Sequence, residues 1–206
     1  MTNPVDRYPT RNNHSEINPE QLWLDIRKGD PDALSTLFCC YYSCLFNYGY
    51  KLVARHDLVK DGIQELFLTI WKGREGIARA FLVKSYLLTS LRRILFRNLK
   101  KQKNRYHRDR IFVEDYFETP LNVEEVFIRH ETQMEYKRQL YEAVDSLSRR
   151  QKEAIYLKFY SGLSTHEIAH IMNINRQSVY NHVSEGIRQL QGMVNYRGQI
   201  HEKNCF

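Results

Sequence analysis

What the 206-residue sequence has little of sets the first limits. Its 9 glycines and 5 prolines fall mostly at the edges of periodic segments, which argues against a glycine-rich phosphate loop and against the turn-dense pattern of an all-β sandwich. The four cysteines, Cys39, Cys40, Cys44 and Cys205, contain no C-x-x-C pair, so neither a zinc ribbon nor a secreted disulfide framework is supported; reduced thiols fit a cytosol. Residues 33–50 carry no charge, yet Ser35, Thr36, Ser43 and Asn47 make them too polar to span a bilayer, and they read as a buried helix. The lead Met1-Thr2-Asn3-Pro4-Val5-Asp6-Arg7 lacks the basic-then-apolar layout of a signal peptide. What is present is positive charge: a net charge of +7 predicts a polyanionic partner, nucleic acid or an acidic membrane surface.

The periodicity is helical throughout, which predicts an all-α protein. Asn18-Pro19 with Gln21 supplies a cap, a first-turn proline and a capping-box partner for a helix from 19 to Lys28. Asp30-Pro31 repeats the start signal, and Leu34, Leu37, Phe38, Tyr41, Leu45, Tyr48 and Leu52 carry one apolar face along a long second helix. Asp57 can cap a third helix, whose stripe is Ile63, Leu66, Phe67, Ile70 and Trp71. After a loop bracketed by Gly73 and Gly76, a fourth helix starts near Val83 and buries Leu88, Leu91, Leu95 and Leu99. Residues 84–110 hold ten Lys or Arg against one Asp, whereas 111–135 hold seven acids and one Arg. That sign change, with Thr119-Pro120 and no sustained period, marks a flexible linker between two helical domains. The organisation expected is a disordered lead over 1–18, a helical domain over 19–106, a linker over 107–122, a second helical domain over 123–193 and a loose tail over 194–206. Within the second domain, helices are expected at 123–145, 149–160, 165–172 and 176–192, with capping boxes at Ser148/Gln151 and Ser164/Glu167.

Residues 164–183 read as a short helix, a tight turn and a second helix, the helix-turn-helix pattern. Ala169 is small enough for a close crossing, Asn173 tolerates a left-handed turn, and Asn175 caps the next helix, whose Val179, Val183, Ile187 and Leu190 face inward. Its outward set, Arg176, Gln177, Ser178, Asn181, His182 and Arg188, is rich in donors that can reach base edges and phosphates. The bland alternative is a helical hairpin with a solvated polar face. The same stretch contains His166-Glu167-Ile168-Ala169-His170, the H-E-x-x-H pattern of zinc metalloproteases. Glu167 already serves as a capping partner, the helix stops soon after His170, and no third ligand is convincing, so the two histidines read as solvent-facing.

The fourth helix presents Arg93, Arg97, Lys100 and Lys101, with Arg92, Lys103 and Arg105 nearby, dense enough to track a phosphate backbone. Phe81, Tyr86, Phe96 and Tyr106 can stack on unpaired bases, or serve as core beneath a soluble charged surface. The polar face of the third helix, Asp61, Gln64 and Glu65 with Leu68, is ambiguous from charge alone, and Cys40 and Cys44, which share a helix face at i and i+4, read as buried thiols rather than a redox pair, with no function.

This combination resembles the extracytoplasmic-function group of bacterial sigma factors over residues 20–192. Gln21-Leu-Trp-Leu-Asp-Ile-Arg-Lys-Gly-Asp30 looks like the group's opening helix, and Asp61-Gly-Ile-Gln-Glu-Leu-Phe-Leu-Thr-Ile-Trp71 like its polymerase-binding signature. The resemblance implies contacts from Asp61, Gln64, Glu65 and Leu68 to the clamp helices of the largest subunit of core RNA polymerase. It implies promoter DNA as second partner: Lys84, Tyr86, Arg92, Arg93, Arg97, Lys100 and Lys101 at the -10 element, with an extruded base held by the Gly73–Lys84 loop, and residues 148–190 reading the -35 element. It further implies an anti-sigma regulator, no cofactor, a cytoplasmic location without membrane insertion, and no enzymatic activity of its own. The family's usual Trp in the -10 helix is Tyr86 here and its Asn seven residues later is Arg93; Tyr86, Leu87 and Leu91-Arg92-Arg93 look more like the iron-transport-type subgroup. The competing reading is a stand-alone regulator, since Ser164 to Leu190 also resembles the DNA-binding end of LuxR-type response regulators. A receiver domain would need strands in the front half.

Overall fold

The computed structural model describes residues 18–77, 82–106 and 143–203, with side chains through 102 in the first half and 192 in the second. Among the described residues every regular element is helical. Helix α1 (Pro19–Arg27) starts where Asn18 Oδ1 accepts from the amides of Glu20 and Gln21. The expected capping box does not form there, because the Gln21 amide donates instead to the Asp25 carboxylate at 3.0 and 3.1 Å. With Lys28 as a further donor, these bonds hold the Asp25 carboxyl below its usual range.

Gly29, at φ +93, makes the turn into α2 (Pro31–Val53), and Asp30 caps it through the Asp32 and Ala33 amides. Leu37, Leu45, Tyr48 and Leu52 are buried on its expected face, with Leu34, Phe38 and Tyr41 partly buried against the same core. Helix α3 (His56–Gly73) begins before Asp57: Arg55 holds the cap position without a side-chain bond, and Asp57 lies in the first turn, where a carboxylate suits the positive helix end. Its stripe is buried through Ile70, while Trp71 is partly exposed beneath the Arg74 guanidinium at 4.7 Å. A Cβ on Gly62 would come within 2.8 Å of Leu95 Cδ2, so the glycine permits the close crossing of α3 with α4 (Val83–Tyr106). Leu88, Leu91, Leu95 and Leu99 are buried as expected, and Leu87 joins them.

The second unit opens with a helical turn over 143–146 and continues with α5 (Arg149–Ile155), started by a complete Ser148/Gln151 capping box. One α-helix over 149–160 is not what forms. The chain widens into a π-helical turn at Tyr156–Tyr160, closed by the Ser161 amide on the Tyr156 carbonyl at 3.0 Å. Tertiary contact accounts for it: Tyr156 and Tyr160 stack at 4.7 Å, and Tyr48 and Lys51 of α2 lie against the Tyr156 ring. Helix α6 (Thr165–Met172) has its Ser164/Glu167 box, and Asn173 ends it at φ 55. Asn175 then accepts the Ser178 amide at 2.7 Å and starts α7 (Arg176–Lys203).

Helix α7 runs past the expected end at 192, so the tail expected to be loose from 194 is helical as far as Lys203. No proline interrupts it, and a glycine such as Gly192 costs only about 1 kcal/mol in a helix. The lead over 1–17, the linker over 107–122, Phe81 and most of the helix expected at 123–145 lie outside the described residues. Helices α1 to α4 pack on one another, as do α5 to α7; α6 also packs along α4, and buried side chains from Trp23 to Val179 form one cluster.

Candidate nucleic-acid interface

The α6–turn–α7 unit is anchored by buried side chains on its inner side. Ile168, Ala169, Ile171 and Met172 are buried on one side of α6, and Val179 anchors the start of α7 among them. The opposite side of α7 shows Arg176, Gln177, Asn181 and Arg188 exposed, with Ser178 and His182 partly covered. Gln177 donates to Asn181 at 3.0 Å, which aligns two amides along one helix face. Burial, with Arg150 adding to it, lowers the His182 imidazole from its ordinary value, so the ring is neutral near pH 7. A short helix crossing beneath a donor-bearing second helix is the geometry that enters a major groove.

The basic face of α4 is differently disposed. Lys100 and Lys101 are exposed, and Arg93 lines an open groove of about 480 Å³ with His166, His170, Asn173, Asn175 and Arg176. The others have partners. Arg97 donates to Glu65, and Asn98 donates to the same carboxylate at 3.0 Å. Lys84 donates to the Ser161 carbonyl at 2.6 Å, and Arg92 donates from Nε to Glu153 at 2.9 Å. Tyr86 is partly exposed with its ring edge-on to Trp23 at 5.0 Å. Phe96 lies under the Arg92 guanidinium at 4.6 Å, so it is partly core and partly a support for that cation. The side chain of Tyr106 lies outside the described residues.

On α3, Asp61, Gln64 and Leu68 share one exposed face, with Leu68 at 49% exposure despite being apolar. An apolar side chain ringed by a carboxylate and an amide on a solvent-facing helix is the composition of a small protein-binding patch. Glu65, its side chain 42% exposed, also accepts from Arg97 and Asn98 and so ties α3 to α4.

Glu167 and His170 of the H-E-x-x-H match are engaged in other bonds. Glu167 accepts both the Ser164 amide and hydroxyl, at 2.9 and 2.6 Å, and His170 Nδ1 lies 3.3 Å from Thr89 Oγ of α4. Among the described residues no group of three metal-ligating side chains exists. Burial pushes the Cys40 and Cys44 thiols up, away from reactive thiolate. The residue that the sequence reading missed is Glu153. It is nearly fully buried and takes both the Tyr48 hydroxyl, at 2.7 Å, and Arg92. Its position beside Ala154, Tyr156 and Leu157 on the apolar side of its helix was the available signal.

Residues 137–190 match the family model described as Sigma-70, region 4. No curated protein matches the chain by sequence. Among solved structures the chain is similar to the sigma factor RpoE in its complex with the anti-sigma factor NepR from Bartonella quintana. The identity is 21% and the TM-score 0.54, over 78% of this chain and 96% of that one. It is also similar to CnrH in complex with the cytosolic domain of CnrY, at 14% identity and TM-score 0.56, over 86% of this chain and 97% of that one. At these identities the likeness is one of fold, and it extends over both helical units.

Proposed function

We propose that this chain is an RNA polymerase sigma factor of the extracytoplasmic-function group, which directs core polymerase to promoters and helps to open them. The observation that carries this reading is the helix-turn-helix of α6 and α7, with its donor face uncovered, inside a stretch that matches region 4. Four helices precede it where a response regulator would carry a receiver with strands, which disfavours the stand-alone regulator. Arg176, Gln177, Ser178, Asn181, His182 and Arg188 read the -35 duplex. Lys84, Tyr86, Arg92, Arg93, Arg97, Lys100 and Lys101 face the -10 element, and Asp61, Gln64, Glu65 and Leu68 dock on the clamp helices of the largest polymerase subunit. The run Tyr86-Leu87 to Leu91-Arg92-Arg93 supports the iron-transport-type subgroup.

Such a protein catalyses nothing itself. Unstacking and unpairing duplex costs a few kcal/mol per step, and contacts made only to the separated strand offset that cost. Cationic and aromatic side chains of α4 supply those contacts, while α7 anchors the assembly on paired DNA upstream. Joining two weak sites in one chain raises the effective concentration of each at the other. An anti-sigma factor is the expected regulator, as NepR is in the RpoE structure, and the expected compartment is the cytoplasm; no described helix is long and apolar enough to cross a membrane.

The test is reconstitution with sigma-free core polymerase on a promoter library. Defined start sites that require both components are expected. DNA binding that selects sites equally well without polymerase, and no start sites with it, would overturn the reading in favour of a stand-alone regulator.

A further inference from the structure

We propose that Gln177, Asn181 and Tyr180 act as one reading unit on α7 that selects an A·T step in the upstream duplex, the two joined amides taking adenine and the Tyr180 ring a thymine methyl group. The inference rests on the proposed helix-turn-helix reading for where α7 lies, and adds which bases are accepted there.

The amides define the first half. Gln177 and Asn181 stand about one helical turn apart and both are exposed. Gln177 Nε2 donates to Asn181 Oδ1 at 3.0 Å. A lone amide offers a donor and an acceptor on an end that can turn over. Here the bond engages the Asn181 oxygen and fixes the outer ends, leaving Gln177 Oε1 to accept and Asn181 Nδ2 to donate. Adenine shows the complementary pattern in the major groove, the N6 amino donor beside the N7 acceptor. Guanine shows two acceptors, O6 and N7, so Gln177 Oε1 would face another oxygen. The two side chains are aligned before DNA arrives, which leaves less ordering to the binding step.

Tyr180 supplies the second half. It is 65% exposed, more than any other large hydrophobic residue among those described. No hydrogen bond or ring contact with another described residue holds it, unlike Tyr160, which stacks on Tyr156. Its backbone is nonetheless fixed, because Val179 before it is buried and Val183 after it is partly buried, so the ring turns about only two side-chain torsions. An exposed ring on a helix whose other outward groups are polar meets one apolar group on the base edges of a major groove, the thymine C5-methyl. Tyr180 stands three residues beyond Gln177 and directly before Asn181, so ring and amides address neighbouring positions of one step. The same ring offered to a protein partner would be indifferent to the base.

The experiment uses the full-length chain with core polymerase and, in parallel, alone, each selecting from duplexes randomised over the upstream element. The selected duplex is remade one position at a time with 7-deazaadenine, which lacks the N7 acceptor, or with deoxyuridine, which lacks the thymine methyl group. Binding is measured for wild type, Asn181→Ala, Tyr180→Ala and Tyr180→Phe, with circular dichroism to verify the helices. For the wild type, deoxyuridine at one position should cost about fourfold in affinity, the burial of one methyl group. The neighbouring 7-deazaadenine should cost about tenfold, within the range of a specific base contact. Tyr180→Ala should lose about fourfold on the natural duplex and become blind to deoxyuridine, whereas Tyr180→Phe, which keeps the ring, should still discriminate. Asn181→Ala should be blind to 7-deazaadenine and remain sensitive to deoxyuridine. An equal deoxyuridine penalty in wild type and Tyr180→Ala would overturn the proposal, as would a selected element without an A·T pair. A Tyr180→Ala loss that is the same on every duplex would do so too, by marking a contact to protein or phosphate, and so would a chain that selects no duplex in either form. Start sites without this base discrimination would leave the sigma-factor reading standing, whereas discrimination by the chain alone, with no start sites, would keep the reading unit and remove the sigma factor.

Discussion

Helices α4 and α7 both carry cations on a face assigned to DNA, but α4 holds Lys84, Arg92 and Arg97 against partners within the protein, whereas α7 leaves Arg176 and Arg188 open. A run of positive charge is therefore not by itself an available surface. Where acceptors from elsewhere in the fold reach it, the charge does structural work first and binding work only after release. The donors Arg176, Gln177, Asn181 and Arg188 of α7 already face solvent.

Removing the support beneath the engaged face has the largest expected effect. Leu91 is fully buried on α4 where it faces Gly62 of α3, and Leu91→Ala should cost about 2–5 kcal/mol in urea unfolding. The same truncation at Leu190, only partly buried on α7, should cost clearly less. Equal losses would mean that the two helices are equally integrated. Next comes the open face itself. Arg176→Ala or Asn181→Ala should weaken binding of holoenzyme to the -35 duplex by about 1–3 kcal/mol for a base contact, with association to core polymerase unchanged. Loss of both together would dissolve the division of labour between the faces.

A smaller change tests what aims α7. Asn173 sits at φ 55, a region open to Asn at modest cost and to other side chains at roughly 1–2 kcal/mol. Asn173→Ala should lower stability by about that amount, while Asn173→Gly should match or exceed wild type in a thermal melt. The smallest effect is a pH dependence confined to α7. His182 is held below its ordinary value of 6.5 by burial and Arg150, so the unfolded chain takes up the proton first. The stability it contributes is full above pH 6.5 and declines as pH falls through the lowered native value; His182→Gln should flatten the unfolding midpoint over that window. An unchanged slope in the variant would assign the dependence to another group.

The parts of the fold legible in the sequence are those governed by neighbours a few residues apart. The Ser148/Gln151 and Ser164/Glu167 boxes, the left-handed Asn173 and the buried leucines of α4 all follow from local spacing. Gln21 shows the limit even there: its side chain could accept from the Asn18 backbone N–H or donate to the Asp25 carboxylate, and the second bond is the one that forms. The burial of Glu153 could be read from its apolar neighbours, but its partners could not, because they stand 105 and 61 residues away in the chain. The wide turn at Tyr156–Tyr160 was illegible for the same reason, being fitted to Tyr48 and Lys51 of α2. On the functional face the residue types could be read, but not which of them were already held.

That wide turn sets an angle for everything after it. Each residue advances an α-helix by about 100°, so the additional residue in a π-turn re-aims the chain that leaves it, including the Ser161 carbonyl that Lys84 grasps. Excising a single residue between Tyr156 and Tyr160 would leave the helix-turn-helix sequence untouched and point it in another direction. The heading of the helix-turn-helix relative to α4 is thus encoded outside it, in a turn of the helix that precedes it.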